Sequence, residues 1–166
     1  QVNLNKVDLN PNDVVCFVVW REYFIESLLL AQRKGCKTVV GIEALSDQNV
    51  ISADLAIGSL TDLGNLSGVE RHLDRFKTIV LTKGEMGALE LTKDGEVFQP
   101  AISTNVVDTT GAGDSFLAGY LTAYAQGIIG QRALEIGARW AAKMVSMVAS
   151  IPPRFSDVEG LKSLLE

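Results

Sequence analysis

Val14-Val15-Cys16-Phe17-Val18-Val19 is an unbroken apolar run of strand length. A strand with one solvated face alternates polar and apolar residues. A continuous run suits a strand covered on both faces, as in a parallel sheet under helices. The flanking sequence repeats the theme. Residues 21–34 place Phe24, Ile25, Leu28 and Leu29 at helical spacing, and Gly35 stands just past the end, where a C-terminal cap is expected. Lys37 to Ile42 is a second apolar strand, Asp54 to Ile57 a short third and Thr78-Ile79-Val80-Leu81 another, with loop signals from Gly58 to Gly68 and a weak helix from Val69 to Arg75. Ala88 to Leu91 and Val97 to Gln99 flank Lys93-Asp94-Gly95, which predicts a hairpin with Asp-Gly at its turn.

Two longer helices are predicted over 111–126 and 131–149. Phe116, Leu117, Tyr120, Leu121 and Tyr124 stripe the first; Leu134, Ala138, Trp140, Ala141, Met144, Val145 and Val148 stripe the second, which Pro152-Pro153 stops. Ser156 and Glu159 have capping-box spacing for a last short helix carrying Val158, Leu161 and Leu165. Strands alternating with helices predict an α/β domain with a mostly parallel sheet. Its ligands are expected along the edge where strand C-termini and helix N-termini meet.

The chain has 166 residues, 47% hydrophobic and 21% charged, which suits one globular domain better than two. Residues 1–12 read as a polar loop or linker, and residues 13–166 as the domain. Acidic residues outnumber basic ones, 20 to 15, for a net charge of −5, which argues against a nucleic-acid partner. No apolar run approaches the ~20 residues of a membrane span, and the first residues lack a signal-peptide core. Cys16 and Cys36 form no CxxC pair and read as reduced, buried groups, so a cytoplasmic location is the expectation. His72 reads as a surface residue and Met144 and Met147 as core. Asn65-Leu66-Ser67 matches a glycosylation acceptor without a secretory signal to support it.

The chemistry is concentrated in Val106-Val107-Asp108-Thr109-Thr110-Gly111-Ala112-Gly113-Asp114-Ser115-Phe116. Strand-like Val106-Val107 leads into two hydroxyl residues able to cap a helix. Gly111-Ala112-Gly113 is a turn poor in side chains, which a ligand or another backbone can approach closely. Unpaired N–H groups at the helix start, together with the positive helix end, make an anion site. Asp114 sits in that first turn, where its carboxylate could accept a proton from an attacking hydroxyl while the N–H groups hold phosphoryl charge. Spacing by itself leaves two readings open, a phosphate cradle and a plain tight turn. The dinucleotide fingerprint is ruled out because Phe116 fills its third-glycine position, and a Walker A loop because no GKS or GKT occurs.

The whole string resembles the second signature of the ribokinase-like (PfkB) family of sugar kinases, including the aromatic after Asp114-Ser115 and the small residues Ala118 and Gly119. The resemblance covers about residues 13–166 and follows the C-terminal half to two-thirds of a full-length member. It implies a three-layer sandwich, with the N-terminal part and the lid absent. It also implies ATP-dependent phosphoryl transfer to a hydroxyl of a sugar or sugar-like molecule. Asp114 would be the catalytic base, and Gly111, Ala112 and Gly113 with the Asp114 N–H the anion hole. Thr82-Lys83-Gly84-Glu85-Met86-Gly87 would be the loop over the ATP phosphates, with Lys83 either approaching a phosphate or staying solvated. Asp108 and the Thr110 carbonyl would stand where many members hold a monovalent cation such as K⁺. Mg²⁺ would arrive with ATP, held mostly through phosphates and water. The 131–149 helix looks like the one flanking the adenine. Full-length members often dimerise through the lid, so a homodimer is one open assembly.

Three departures accompany the resemblance. Where members often carry Asn-x-x-Glu, this chain has Ser59-Leu60-Thr61-Asp62. Arg139 stands near a frequent adenine-side Asn, either to stack on a base or as a solvated helix residue. Trp20 and Glu43, at strand ends, have sugar-site readings beside their packing and capping ones. The glycine-rich N-terminal segments that carry most sugar contacts have no counterpart, and the chain opens on Gln1 rather than Met. The expectation is a chain weakly active or inactive alone, derived from a parent kinase. The alternative is a kinase-derived binding or regulatory module.

Overall fold

The computed structural model describes residues 4–50, 52–148 and 151–166. Six strands form one sheet in the order β1 (Val14–Phe17), β2 (Lys37–Gly41), β3 (Ala53–Ser59), β4 (Phe76–Thr82), β5 (Gly87–Thr92) and β6 (Gly95–Pro100). The helices are α1 (Ile25–Arg33), α2 (Leu60–Leu63), α3 (Ala112–Ala125), α4 (Gln131–Val145) and α5 (Leu161–Leu165). This is an α/β fold, as the alternating pattern predicts. The chain divides into two compact units, one ending at Val80 and including Leu91–Gly95, the other comprising Leu81–Glu90 and Glu96–Glu166.

In the first unit β1, β2 and β3 are parallel, with Val14 opposite Lys37 and Val39 opposite Leu55. Val39, Val40, Leu55 and Ala56 have no exposed surface, so the interior strands β2 and β3 are covered on both faces. The register is pinned at the strand starts. Asp54 accepts the Thr38 N–H at 2.8 Å and its hydroxyl at 2.9 Å, and pairs with Lys77 at 2.7 Å. Burial raises the Asp54 carboxyl, but these partners outweigh it and hold the group below the usual range. Gly35 (φ +77°) ends α1 where the sequence placed the cap.

The second unit is organised by α3 against α4. A Cβ on Gly119 would lie 2.9 Å from the Gly137 Cα, and one on Gly137 would lie 2.9 Å from the Phe116 carbonyl oxygen. Only glycine at both positions lets the two backbones come this close. Phe116, Tyr120 and Tyr124 stack in sequence along α3, with ring centroids 6.3 Å apart at each step. The Lys93-Asp94 turn between β5 and β6 is the expected hairpin.

Several boundaries differ from those expected. The run at 14–19 is a strand only to Phe17, and it lies at the edge of the sheet; Val18 and Val19 are half exposed. Apolar composition does not distinguish an edge strand from a central one. The helix over 21–34 opens as a 3₁₀ turn, Glu22–Phe24, and the stretch at 69–75 is a 3₁₀ helix, Val69–Asp74. Val106-Val107 is exposed loop rather than strand. The helix over 131–149 stops at Val145, well before the prolines, and the Val145 carbonyl accepts N–H groups from Val107 and Asp108. Residue 149, the last of that expected helix, lies outside the described residues. No capping box forms at Ser156 and Glu159. The Asp157 carboxylate instead takes the Arg154 N–H at 3.1 Å, and α5 starts only after Gly160.

Candidate active site

Every residue expected to handle phosphate belongs to the second unit. After β4 the chain reverses through a 3₁₀ turn, Gly84–Met86, closed by the Lys83 N–H donating to the Gly87 carbonyl at 2.7 Å. Gly84 (φ +59°) and Gly87 (φ +120°) both sit in the left-handed region. A Cβ on Gly87 would run into the Gln99 carbonyl and come within 2.8 Å of the Ala101 nitrogen, so position 87 demands glycine. The Lys83 ammonium lies 5.7 Å from the Phe98 ring centroid, a cation–π contact, while Glu85 and Met86 are exposed.

The start of α3 is built in three steps. Val107 and Asp108 donate to the Val145 carbonyl at 2.7 and 3.2 Å, anchoring the approach to the end of α4. The Asp108 carboxylate accepts the Thr110 N–H at 2.9 Å, which keeps that carboxyl below its usual range. Gly111 (φ +76°) then turns the chain into the helix; a Cβ there would lie 3.2 Å from the Met144 Cε. Gly111, not a threonine, is the N-cap, and no side chain caps the helix. Asp108 has already satisfied the Thr110 N–H, and a left-handed glycine makes the turn, so the threonine hydroxyls are not used there.

The hydrogen bonds at this corner leave donors over. The Ala112 N–H turns back to the Thr109 carbonyl at 3.2 Å, and the Ser115 N–H makes the first helical bond, to Gly111, at 2.9 Å. The Gly113 and Asp114 N–H groups have no hydrogen-bond partner among the described residues. They stand at the positive end of a 14-residue helix. Nothing lies within 4 Å of a Cβ placed on Gly113, and Asp114 is exposed, with no ion pair among the described residues. The corner therefore offers three N–H donors, those of Gly111, Gly113 and Asp114, and a solvent-facing carboxylate, with room for a ligand; of the expected anion hole only the Ala112 N–H is already spent. Behind it the Ser115 hydroxyl is fully buried and unpartnered.

The remaining candidates separate from this corner. Trp20 is core: its indole donates to Asp47 at 2.7 Å and its ring packs against Phe17 and Phe24. Glu43 is exposed in a 3₁₀ turn and accepts the Trp20 N–H at 3.4 Å. Both belong to the first unit, as does Asp62, exposed on α2. Arg139 is held by Glu135, one turn earlier on α4, through two bonds of 2.7 and 2.9 Å. His72 is half-buried, and burial and the neighbouring Arg75 and Arg71 lower its pKa. Cys36 is buried and Cys16 half-buried, both as free thiols; burial pushes Cys16 up to about 11. Among the described residues no three His, Cys, Asp or Glu side chains group to hold a metal, and no helix is long and apolar enough to cross a membrane.

Glu90 is the residue that pattern reading passed over. It is 2% exposed on β5, and accepts the Tyr120 hydroxyl at 2.8 Å and the Gly130 N–H at 3.0 Å from each carboxylate oxygen. Burial raises its pKa against the pull of those two bonds. The signal was visible as a charge inside the apolar run Ala88-Leu89-Glu90-Leu91.

The second unit thus carries a glycine-led helix tip, at the start of α3, that is open and bears an exposed carboxylate. Residues 48–154 match the pfkB family of carbohydrate kinases, and the chain belongs to that family. It is 35% identical over 89 residues to a 1-phosphofructokinase of Haloferax volcanii, an alignment covering 54% of this chain and 29% of that protein. The crystal structure of the Methanocaldococcus jannaschii nucleoside kinase, an archaeal member of the ribokinase family, superposes with a TM-score of 0.73 at 22% identity, covering 92% of this chain and 56% of that one. The Arabidopsis thaliana ribokinase complexed with ribose and ATP gives a TM-score of 0.72 at 20% identity, covering 92% and 55%. The chain thus spans about half the length of these solved relatives, and the likeness at such identities establishes the fold.

Proposed function

We propose that this chain carries the phosphate-binding part and the catalytic base of an ATP-dependent kinase acting on a hydroxyl of a sugar or sugar-like small molecule. The observation that carries the reading is the open tip of α3. Unspent N–H donors of Gly111, Gly113 and Asp114 and an exposed carboxylate meet there, in a family whose members are carbohydrate kinases. Asp114 accepts the proton of the attacking hydroxyl. The Gly113 and Asp114 N–H groups, fixed in direction by the helix, stabilise charge on the transferred phosphoryl group without having to reorganise. Gly111 places the tip, and the 82–87 loop covers the nucleotide phosphates.

Mg²⁺ neutralises phosphate charge when it is bound. It would be carried in by ATP and held mostly through phosphates and water. The Thr110 carbonyl and Asp108 are the groups that would face a monovalent cation such as K⁺. ATP and the sugar are the expected partners, and the cytoplasm the expected location. A second reading, a binding or regulatory module with little phosphoryl transfer, is favoured by Arg139 being committed to Glu135.

The test is ADP formation across a panel of sugars, sugar phosphates and nucleosides, for the wild type and Asp114→Asn. The kinase reading expects turnover that falls by on the order of 10²–10⁴-fold in the variant. Turnover undamaged by the substitution contradicts the role of Asp114. Nucleotide binding with no turnover on any acceptor supports the module.

A further inference from the structure

We infer that Glu90 is a positioning residue that couples the 82–87 loop to the tip of α3 through its hydrogen bonds to Tyr120 and Gly130. The inference rests on the kinase reading and adds to it a residue outside the phosphate-binding corner. β5 begins at Gly87, where the loop ends, so Glu90 lies three residues along the same strand. Its carboxylate takes the hydroxyl of Tyr120, six residues along α3 from Asp114 and so about 9 Å along the helix axis. The same carboxylate takes the N–H of Gly130, the N-cap residue of α4, which at φ +67° directs that donor out of the helix. One buried anion thus grips three elements: the strand behind the loop, the helix carrying Asp114 and the start of the helix packed on it.

A carboxylate is an unusual choice for this place. A buried charge is costly, and an apolar residue would pack in the strand as well. What an apolar residue could not do is bind two donors from two helices at once. Tyr120 has no exposed surface, so its hydroxyl cannot turn to water, and the Gly130 N–H has no partner other than Glu90 among the described residues. The bond therefore fixes where α3 stands along its axis. Phosphoryl transfer is sensitive to displacements of this kind, since a misplacement of about 1 Å can cost on the order of 10²-fold in rate.

The experiment uses Tyr120→Phe, which keeps the ring and deletes one bond, Glu90→Gln, which keeps the shape and removes the charge, and the double variant. Three readouts are taken on the 166-residue chain: the melting temperature, the backbone amide shifts of Gly113 and Asp114 without ligand, and the affinity for Mg·ATP. Positioning expects both single variants to move the two amide resonances and weaken ATP by about tenfold, with melting temperature and ATP affinity uncorrelated across the set. The double variant should lose less than the sum of the two single losses, because both substitutions act on the Tyr120–Glu90 bond. Unmoved amides together with an unchanged ATP affinity, whatever happens to the melting temperature, overturn the inference and leave Glu90 a packing residue. If Glu90→Gln fails to fold, Tyr120→Phe decides. A wild-type chain that binds no ATP counts against the kinase reading, and the amide shifts then judge the positioning role separately.

Discussion

Replacing Gly119 by alanine sets two effects of opposite sign against each other. Helix propensity favours alanine over glycine by about 0.8–1.0 kcal/mol in a helix interior. The new methyl, however, would stand 2.9 Å from the Gly137 Cα, 3.0 Å from the Ile136 carbonyl oxygen and 3.2 Å from the Gly137 nitrogen. Ordinary carbon contacts lie at ~3.5–4.0 Å, so the closest approach is short by roughly 0.6 Å. All three obstacles are backbone atoms of α4, and no rotamer change relieves them. The helix must shift as a body, and such overpacking costs about 1–3 kcal/mol. Near the upper end of that range, the net loss is about 1–2 kcal/mol, a fall in melting temperature of roughly 3–6 °C for a chain of this length. Thermal unfolding followed by circular dichroism measures it. A variant that melts at or above the wild type would show that propensity wins and that the close approach of α3 and α4 is not a constraint.

Gly87→Ala should be more damaging, by at least about 3 kcal/mol, because the residue combines a left-handed backbone with a collision against Gln99; urea unfolding that matches wild type would refute it. The raised pKa of Glu90 makes a pH prediction. The folded state holds that proton more tightly than the unfolded chain, so Glu90's contribution makes stability fall as pH rises from the ordinary glutamate value through the raised one. Urea midpoints taken at several pH values should show a slope that Glu90→Gln removes, and an identical slope in the variant would contradict the assignment. Asp54 works the other way. Its pKa is lowered, so the stability it adds is present above the ordinary aspartate value and lost as pH falls through its folded one, and Lys77→Met should shrink that acid-side loss.

Much of this architecture is legible in the sequence wherever a single local rule decides the outcome. Gly35 beyond α1 and the turn before Gly95 each follow from one residue's backbone preference. Residues 111–114 likewise announce a helix start, since glycine is the residue that most readily takes the left-handed conformation found at Gly111. What the sequence hides depends on partners far along the chain. Val18 and Val19 are as apolar as Val39 and Val40, yet they lie beyond the end of β1 and are left exposed. α4 ends where its last carbonyl is claimed by residues 107 and 108, a contact invisible to helical periodicity. Ser156 and Glu159 have the right spacing for a cap, yet Asp157 reaches a free N–H first. Glu90 reads as an interruption in a strand until Tyr120 and Gly130 are seen to converge on it. Trp20 took its alternative reading from its place at a strand end, whereas its indole is buried against Asp47.

The central claim, that the tip of α3 receives phosphate, is tested most directly by titrating ¹⁵N-labelled chain with Mg·ATP and following each backbone amide. The account predicts saturable shifts largest at Gly113 and Asp114, with smaller ones through residues 84–87. ATP that binds while those two amides stay still would contradict it.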